Sequence, residues 1–306
     1  MAQINITSVL TQTMMTYYER VFLERAKVQL VNEQGSQKRT HPSNMGKTIN
    51  FTRMEPLNII TTALTEASNP SASAMTASTV AATLAEYGHA TIFSKLQSTT
   101  SIDTGLKEVV EVFGQNMGET LNALAGNALA CGTAFFPNGH DVSSVTTGDV
   151  LNASAIIYAV QAQELARAPV YPDGFYIGKT TIQNKVSLLK DTTWINAKTY
   201  SDVKDLYRGE MGELYQVRWL LNGQTVSGNG NAGAAACTSV CYYSYLHGDN
   251  AFGTVKLEGD MPKLYIVNTP DSGNVAGRLT YISWAGSYVA VLLNSAWVQT
   301  IKAVAA

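Results

Sequence analysis

Four groups of residues have the types that carry chemistry. Gly228-Asn229-Gly230-Asn231-Ala232-Gly233 spells G-x-G-x-x-G. In a dinucleotide site such glycines make a tight turn and let backbone approach a pyrophosphate, with an acidic residue like Asp249 about 20 residues on. Here uncharged residues delay the turn after the preceding strand, and Ala234 to Val240 is too short for the packing helix, so the stretch reads as a loop. Cys237-Thr238-Ser239-Val240-Cys241 with His247 could open a zinc site, but a structural zinc takes four ligands. Only Cys131, His41, His89 and His140 remain to complete it, all distant in sequence. His140-Asp141 with Ser143-Ser144 has the residue types of nucleophilic catalysis without a G-x-S-x-G elbow. Adjacency of that kind reads as a polar turn. Lys38-Arg39 with His41 is a small basic cluster suited to a nucleic acid or an acidic groove. The acids Glu19, Glu24, Glu108, Glu111 and Glu119 fall on helix faces where solvated charge is ordinary. No catalytic residue, cofactor site or metal site is therefore expected.

The composition points away from catalysis and toward assembly. The chain has 306 residues, with 21 Lys and Arg against 23 Asp and Glu, a net charge of −2. A protein that grips DNA through phosphates needs a surplus of cations, and this one has none. The hydrophobic share of 45% excludes global disorder. The charged share is 14%, against roughly 25% in ordinary soluble chains. Soluble monomers normally carry more charge to stay apart, so surface hidden by other subunits is implied. Three cysteines do not make a secreted disulfide framework, and residues 1–10 lack a signal-peptide pattern. Leu279 to Ile301 carries no ionised side chain, but Ser283, Gly286, Ser287, Asn294, Ser295 and Gln299 interrupt it. Two or three buried strands are expected there, and no membrane span.

The pattern along the chain predicts an α+β protein. Residues 14–31 read as an amphipathic helix, and Gln34 to Gly46 as a loop or extended arm. Lys47 to Arg53 alternates as a strand, and Thr76 to Tyr87 is strand-like again. Together they predict an extended hairpin with a long tip. From Ala67 to Ala85 no residue is charged. A lone hairpin is marginal, and exposed edges usually carry charge against unwanted pairing, so this one is expected to lie on a neighbour. Residues 103–131 give the clearest helix. Leu106, Val110, Phe113, Met117, Leu121, Leu124 and Ala128 recur at helical spacing, with Asp103 as N-cap and Gly132 as stop. Gly114, Gly118 and Gly126 inside it imply a close neighbour. Helices are expected at 151–168, 180–189 and 202–207, and strands at 175–177, 215–221, 253–257 and 263–268. Residues 219–248 read as an uncharged, Gly/Asn/Ala-rich insertion.

The order of several blocks resembles a known family. Tyr17-Tyr18-Glu19-Arg20 with Leu23-Glu24-Arg25-Ala26 is similar to its N-terminal helix. Gln37-Lys38-Arg39, Gly46-Lys47-Thr48-Ile49-Asn50-Phe51-Thr52-Arg53, Pro56-Leu57, Leu64-Thr65-Glu66 and Tyr87-Gly88 resemble its extended-loop block. Gly209-Glu210-Met211-Gly212, Val217-Arg218, Asn250-Ala251-Phe252-Gly253 and Trp284 resemble its later landmarks. The family is that of tailed-bacteriophage major capsid proteins with the Hong Kong-97-type capsid fold, in the branch typified by the coliphage enn-four coat. The resemblance covers nearly the whole chain.

The resemblance implies a shell subunit forming hexamers and pentamers of an icosahedral shell around packaged double-stranded DNA, held without sequence-specific contacts. It implies an N-terminal arm (1–45), an extended loop with flanking strands (46–98), a peripheral domain with a spine helix (99–145), an axial domain (146–255) and return strands of the peripheral domain (256–306). Its implied subunit-interface residues are Tyr18, Phe22, Arg25, Lys38, Arg39, Phe51, Arg53, Leu57, Ile60, Leu64 and Glu66. Its implied partners are further copies of the chain, a portal and a separate scaffolding protein, with a decoration protein as a further candidate. The implied location is the virion capsid, assembled in the bacterial cytoplasm. Two alternatives stand beside it: a cellular nanocompartment shell of the same fold, and an enzyme using the Gly-rich loop or His140.

Overall fold

The computed structural model describes residues 7–55, 57–64, 66, 69–70, 72–94, 106–141, 143–193, 212–224, 240–267 and 278–305, with side chains from Tyr17 and, in the long helix, from Lys107. The elements run α1 (Thr7–Gln29), β1 (Gln37–His41), β2 (Thr48–Met54), β3 (Ala77–Thr83), β4 (Ala85–Ser94), α2 (Leu106–Ala130) and β5 (Thr133–Phe135). They continue α3 (Ala153–Leu165), β6 (Tyr176–Thr181), α4 (Ile182–Lys190), β7 (Glu213–Leu214), β8 (Val217–Asn222), β9 (Cys241–His247), β10 (Phe252–Leu257), β11 (Lys263–Val267), β12 (Leu279–Leu292) and β13 (Val298–Val304).

The strands form two main sheets and a ribbon. The first sheet runs β1-β10-β12-β11, with β4 also paired to β12. The second runs β5-β13-β9-β6-β8-β7, and β2 pairs with β3 alone. Strand β1 is parallel to β10, with Gln37 opposite Gly253. Strand β12 is antiparallel to β4 from Leu279–Ser94 to Tyr288–Ala85. Its 14 residues form one long strand, so the charge-free C-terminal stretch holds one long and one short strand, both within sheets.

Alternation gives the first sheet two faces. Ile282, Trp284, Tyr288 and Ala290 share a face with Leu264 and Ile266, and helices α1 and α2 cover it. Phe22 and Ala26 of α1 meet Val110, Phe113, Met117 and Leu121 of α2 there. The helical spacing in the sequence forms this buried stripe. Two glycines of α2 meet α1: a β-carbon on Gly114 would sit 2.5 Å from the Phe22 carbonyl oxygen, and one on Gly118 would sit 2.7 Å from that of Ala26. Backbones approach this closely only where no side chain intervenes. On the opposite face Val255, Leu257, Val289, Val291 and Leu293 pack against Phe51, Ala82 and Leu84. The sheet is therefore sandwiched between the helix pair and the root of the β2–β3 hairpin.

The second sheet has its own core. Leu151, Ala155, Ile156, Ala159 and Val160 around α3 pack with Tyr176, Leu188, Val217, Trp219, Leu246 and Ile301. The Asn152 side chain caps α3 by accepting from the Ala155 N–H at 2.8 Å. Helix α3 ends at Leu165, earlier than the expected 168, with Pro169 just beyond.

Several expectations need correction. Thr76 to Tyr87 is two strands: β3 stays in the hairpin, while β4 crosses to the first sheet. The insertion read over 219–248 is bounded by order, because β8 reaches Asn222 and Cys241–His247 is a buried central strand. The strands of 256–306 do not stay together, since β12 lies in the first sheet and β13 in the second. Asp103, the expected helix 202–207 and the Gly-rich loop lie outside the described residues.

Candidate subunit interface

The described candidates His140, Ser143 and Ser144 bond different carboxylates, Asp149 for the histidine and Asp141 for the serines. His140 meets Asp149, with Nδ1 2.7 Å from the carboxylate. Asp149 is buried and also accepts from the Thr146 N–H at 2.7 Å and from Asn138 Nδ2 at 2.9 Å. Burial pushes this carboxyl up, but the hydrogen bonds from Thr146, His140 and Asn138 prevail and hold it below the usual range. Ser143 and Ser144 donate their hydroxyls to Asp141 at 2.8 Å each, as in a polar turn. The sequence missed Asp149, because a capping carboxylate farther along the chain has no local signature. Cys131 is exposed and Cys241 is buried within β9. Among the described residues no cluster of three His, Cys, Asp or Glu could hold a metal. No described helix is long and apolar enough to cross a membrane.

What the structure does build is a ribbon with a rooted base and an open outer face. Strands β2 and β3 pair from Thr48–Thr83 to Met54–Ala77. The ribbon is closed at its base by the Leu84 N–H donating to the Lys47 carbonyl, and farther out by the Glu55 N–H donating to Thr76. Ile49, Phe51, Arg53, Ser78, Val80 and Ala82 face the body, and Thr48, Asn50, Thr52, Met54, Ala77, Thr79, Ala81 and Thr83 face outward. The outward set is exposed and uncharged. Beyond it Leu57, Ile59, Ile60, Leu64 and Met75 stand exposed, Ile60 at 72%. Large apolar side chains gathered at such exposure mark a contact surface.

The root is held by three side chains. Phe51, 4% exposed, lies over Gly253 of β10. The Arg39 guanidinium lies 4.4 Å from the centre of its ring and donates to the Asn50 carbonyl at 3.4 Å. Arg53 lies 5.4 Å from the Trp297 ring and pairs with Glu55 at 2.8 Å. Its guanidinium and the Ser78 hydroxyl hold the Glu55 carboxyl below its usual range.

The expected interface residues thus divide. Phe22 and Phe51 are buried in the chain's own core; helical and strand periodicity mark a buried face without saying whose core it enters. Arg39 and Arg53 are half-buried at the hairpin root, while Tyr18 is half-buried on α1. Arg25, Lys38, Leu57, Ile60, Leu64 and Glu66 are exposed. The sequence overlooked Gly253, although a glycine inside a strand run signals close approach by something else.

It also overlooked a strap, residues 30–36 with Asn32 and Glu33 buried, that ties the two sheets together. Lys179 of β6 is 1% exposed and donates to the Asn32 carbonyl at 2.9 Å and the Gln34 carbonyl at 2.7 Å. The Tyr171 hydroxyl donates to the Gly35 carbonyl at 2.6 Å. The Asn32 N–H donates to Asn122 Oδ1 of α2 at 2.7 Å, and Asn122 Nδ2 donates to Asn222 Oδ1 of β8 at 3.0 Å. Buried Glu33 pairs with Lys256 of β10 at 2.8 Å. Burial pushes the Lys179 ammonium well below its usual range, against the pull of Glu33. Burial, then Lys179, pushes the His247 imidazole down as well, against its hydrogen bond with Gly248.

The same fold occurs in solved phage capsids. The capsid of cyanophage P-SCSP1u superposes with a TM-score of 0.67 at 14% identity, covering 90% of this chain and 89% of the other. The capsid of Ralstonia phage GP4 gives 0.68 at 13% identity, covering 89% and 87%. The capsid of cyanophage Pam1 gives 0.66 at 14% identity, covering 99% and 94%. No protein-family model and no curated protein matches the chain. The α+β Hong Kong-97-type capsid fold expected from the sequence is the fold the chain adopts.

Proposed function

We propose that this chain is the major capsid protein of a tailed bacteriophage and acts through its surfaces rather than through an active site. The observation that carries this reading is the hairpin. Its root is fixed to the body, while its outer face and tip expose Leu57, Ile59, Ile60, Leu64 and Met75 with no charge along β3. Such a surface is costly in a free monomer and is satisfied when a neighbouring copy covers it. The capsid fold supports the same reading. On it, copies form hexamers and pentamers of an icosahedral shell enclosing double-stranded DNA. A portal and a separate scaffolding protein assist, a decoration protein is a further partner, and assembly takes place in the bacterial cytoplasm. The net charge of −2 fits a wall that encloses DNA without gripping it. The arm, extended loop, peripheral and axial domains map onto 1–45, 46–98, 99–145 with 256–306, and 146–255. In that arrangement β5 and β13 pair with the axial strands, and β10 pairs within the first sheet.

The test is sedimentation with negative-stain microscopy, on the protein expressed alone and with its neighbouring genes. Uniform closed shells, or five- and six-fold rings, are expected. A stable monomer in both preparations would overturn the proposal.

A further inference from the structure

We propose that Phe51 and Gly253 form the joint that sets the direction in which the hairpin leaves the protomer, and through it the curvature of the assembly. The inference rests on the shell reading above. Gly253 lies in buried β10, between Gln37 of β1 and Val291 of β12 in the sheet register. A β-carbon there would sit 2.7 Å from Phe51 Cζ and 2.8 Å from Cε1. Such separations are well inside van der Waals contact, so the ring occupies the volume that any other residue at 253 would fill. Val255, Leu257, Val289 and Val291 wall the notch, and Ala82 and Leu84 close it from the hairpin side. The Arg39 guanidinium covers the ring 4.4 Å from its centre.

Phe51 is the one large aromatic that the ribbon inserts into the body, since its inward neighbours on β3 are Ser78, Val80 and Ala82. Two residues on, Arg53 lies over the Trp297 ring. These two contacts define the line along which the ribbon runs. The tip is a lever on that line. Ile60 lies at most about 30 Å of chain from Phe51, so a rotation of about 10° at the joint displaces it by up to ~5 Å. That exceeds what complementary packing at a neighbour's surface tolerates.

The test compares wild type, Gly253→Ala, Phe51→Leu and the double variant. The first readout is made on the unassembled protomer. Spin labels on Ser73→Cys near the tip and Gln161→Cys on α3, with Cys131→Ser and Cys237→Ser, report the tip-to-body distance. The second is the diameter and closure of the particles. Gly253→Ala is expected to fold, shift the distance peak by several ångströms, about 5 Å at most, and give open or irregular particles. Phe51→Leu with Gly253→Ala is expected to bring back the wild-type distance and closed shells, because the smaller side chain frees the notch. Should Gly253→Ala fail to fold, Phe51→Leu alone is expected to broaden the distance distribution. Unchanged distances and particles in Gly253→Ala would overturn the proposal. So would a folded double variant that rescues neither readout, or an unbroadened Phe51→Leu. Failure of the wild type to form shells counts against the shell reading, while the distances still decide the joint.

Discussion

The carbonyl oxygen of Phe22 lies where a side chain on Gly114 would begin, 2.5 Å from the position of its first carbon. One turn on, Gly118 meets the carbonyl of Ala26 at 2.7 Å in the same way. Helices α1 and α2 therefore touch backbone to backbone along two successive turns, above the large apolar side chains of β12.

Gly118→Ala tests this contact. Alanine favours a helix interior by about 1 kcal/mol over glycine, so an isolated helix would gain. Here overpacking opposes that gain and costs typically about 1–3 kcal/mol. A net lowering of the thermal midpoint is expected, with Gly114→Ala at least as severe. A rise in the midpoint would show that α1 yields freely.

A second prediction concerns pH. The unfolded chain protonates His247 near 6.5, whereas the buried folded imidazole resists protonation to well below that value. The unfolded state thus binds the proton first as pH falls, and stability drops from about 6.5 downward by up to about 1.4 kcal/mol per unit. Denaturant titrations between about pH 7 and 5 should show this slope, and His247→Gln should flatten it. An equal slope in the variant would assign the effect elsewhere.

Lys179→Met should loosen the strap specifically. It leaves the Asn32 carbonyl, and in part that of Gln34, without the donor that satisfies it. A buried polar group left unsatisfied costs about 1–3 kcal/mol. Hydrogen exchange should quicken across 30–36 before it quickens in the centre of β9. Uniform quickening would mean that the strap and the sheets open as one unit.

How much of this was legible beforehand follows from which signals are local. The spacing of Val110, Phe113, Met117 and Leu121 announces α2, and its glycines announce a close neighbour, because both depend on a few adjacent residues. The strap is illegible for the opposite reason. Asn32 and Glu33 look like ordinary loop residues, and only partners far along the chain, Asn122, Lys179 and Lys256, make their burial tolerable. The hairpin falls between these cases. Alternation shows that Phe51 is buried, but not that Gly253 of the same chain receives it. Strand β12 looked divisible because Gly286 and Ser287 interrupt its apolar run, yet both are accommodated within one strand. The interface is the least legible part, since a residue's exposure in the protomer is set by everything the fold leaves uncovered.

At the tip, Ile60→Asp should leave the protomer's stability within about 0.5 kcal/mol of wild type, as for other exposed positions, while blocking closed shells. A deletion within 60–75 should act likewise. Normal particles from either variant would show that no neighbour covers this surface.

The place of β13 has a consequence for how the protein is made. It sits inside the second sheet, bonded to β9 on one side and β5 on the other, yet it is translated after every other strand of that sheet. A nascent chain that has already produced β5, β6, β8 and β9 still lacks the strand that joins β5 to the rest. At about 5–20 residues per second, roughly 6–25 s separate β6 from β13 on the ribosome. Throughout that interval the second sheet is unfinished. A chain broken off before β13 therefore lacks the strand that holds β5 in the second sheet.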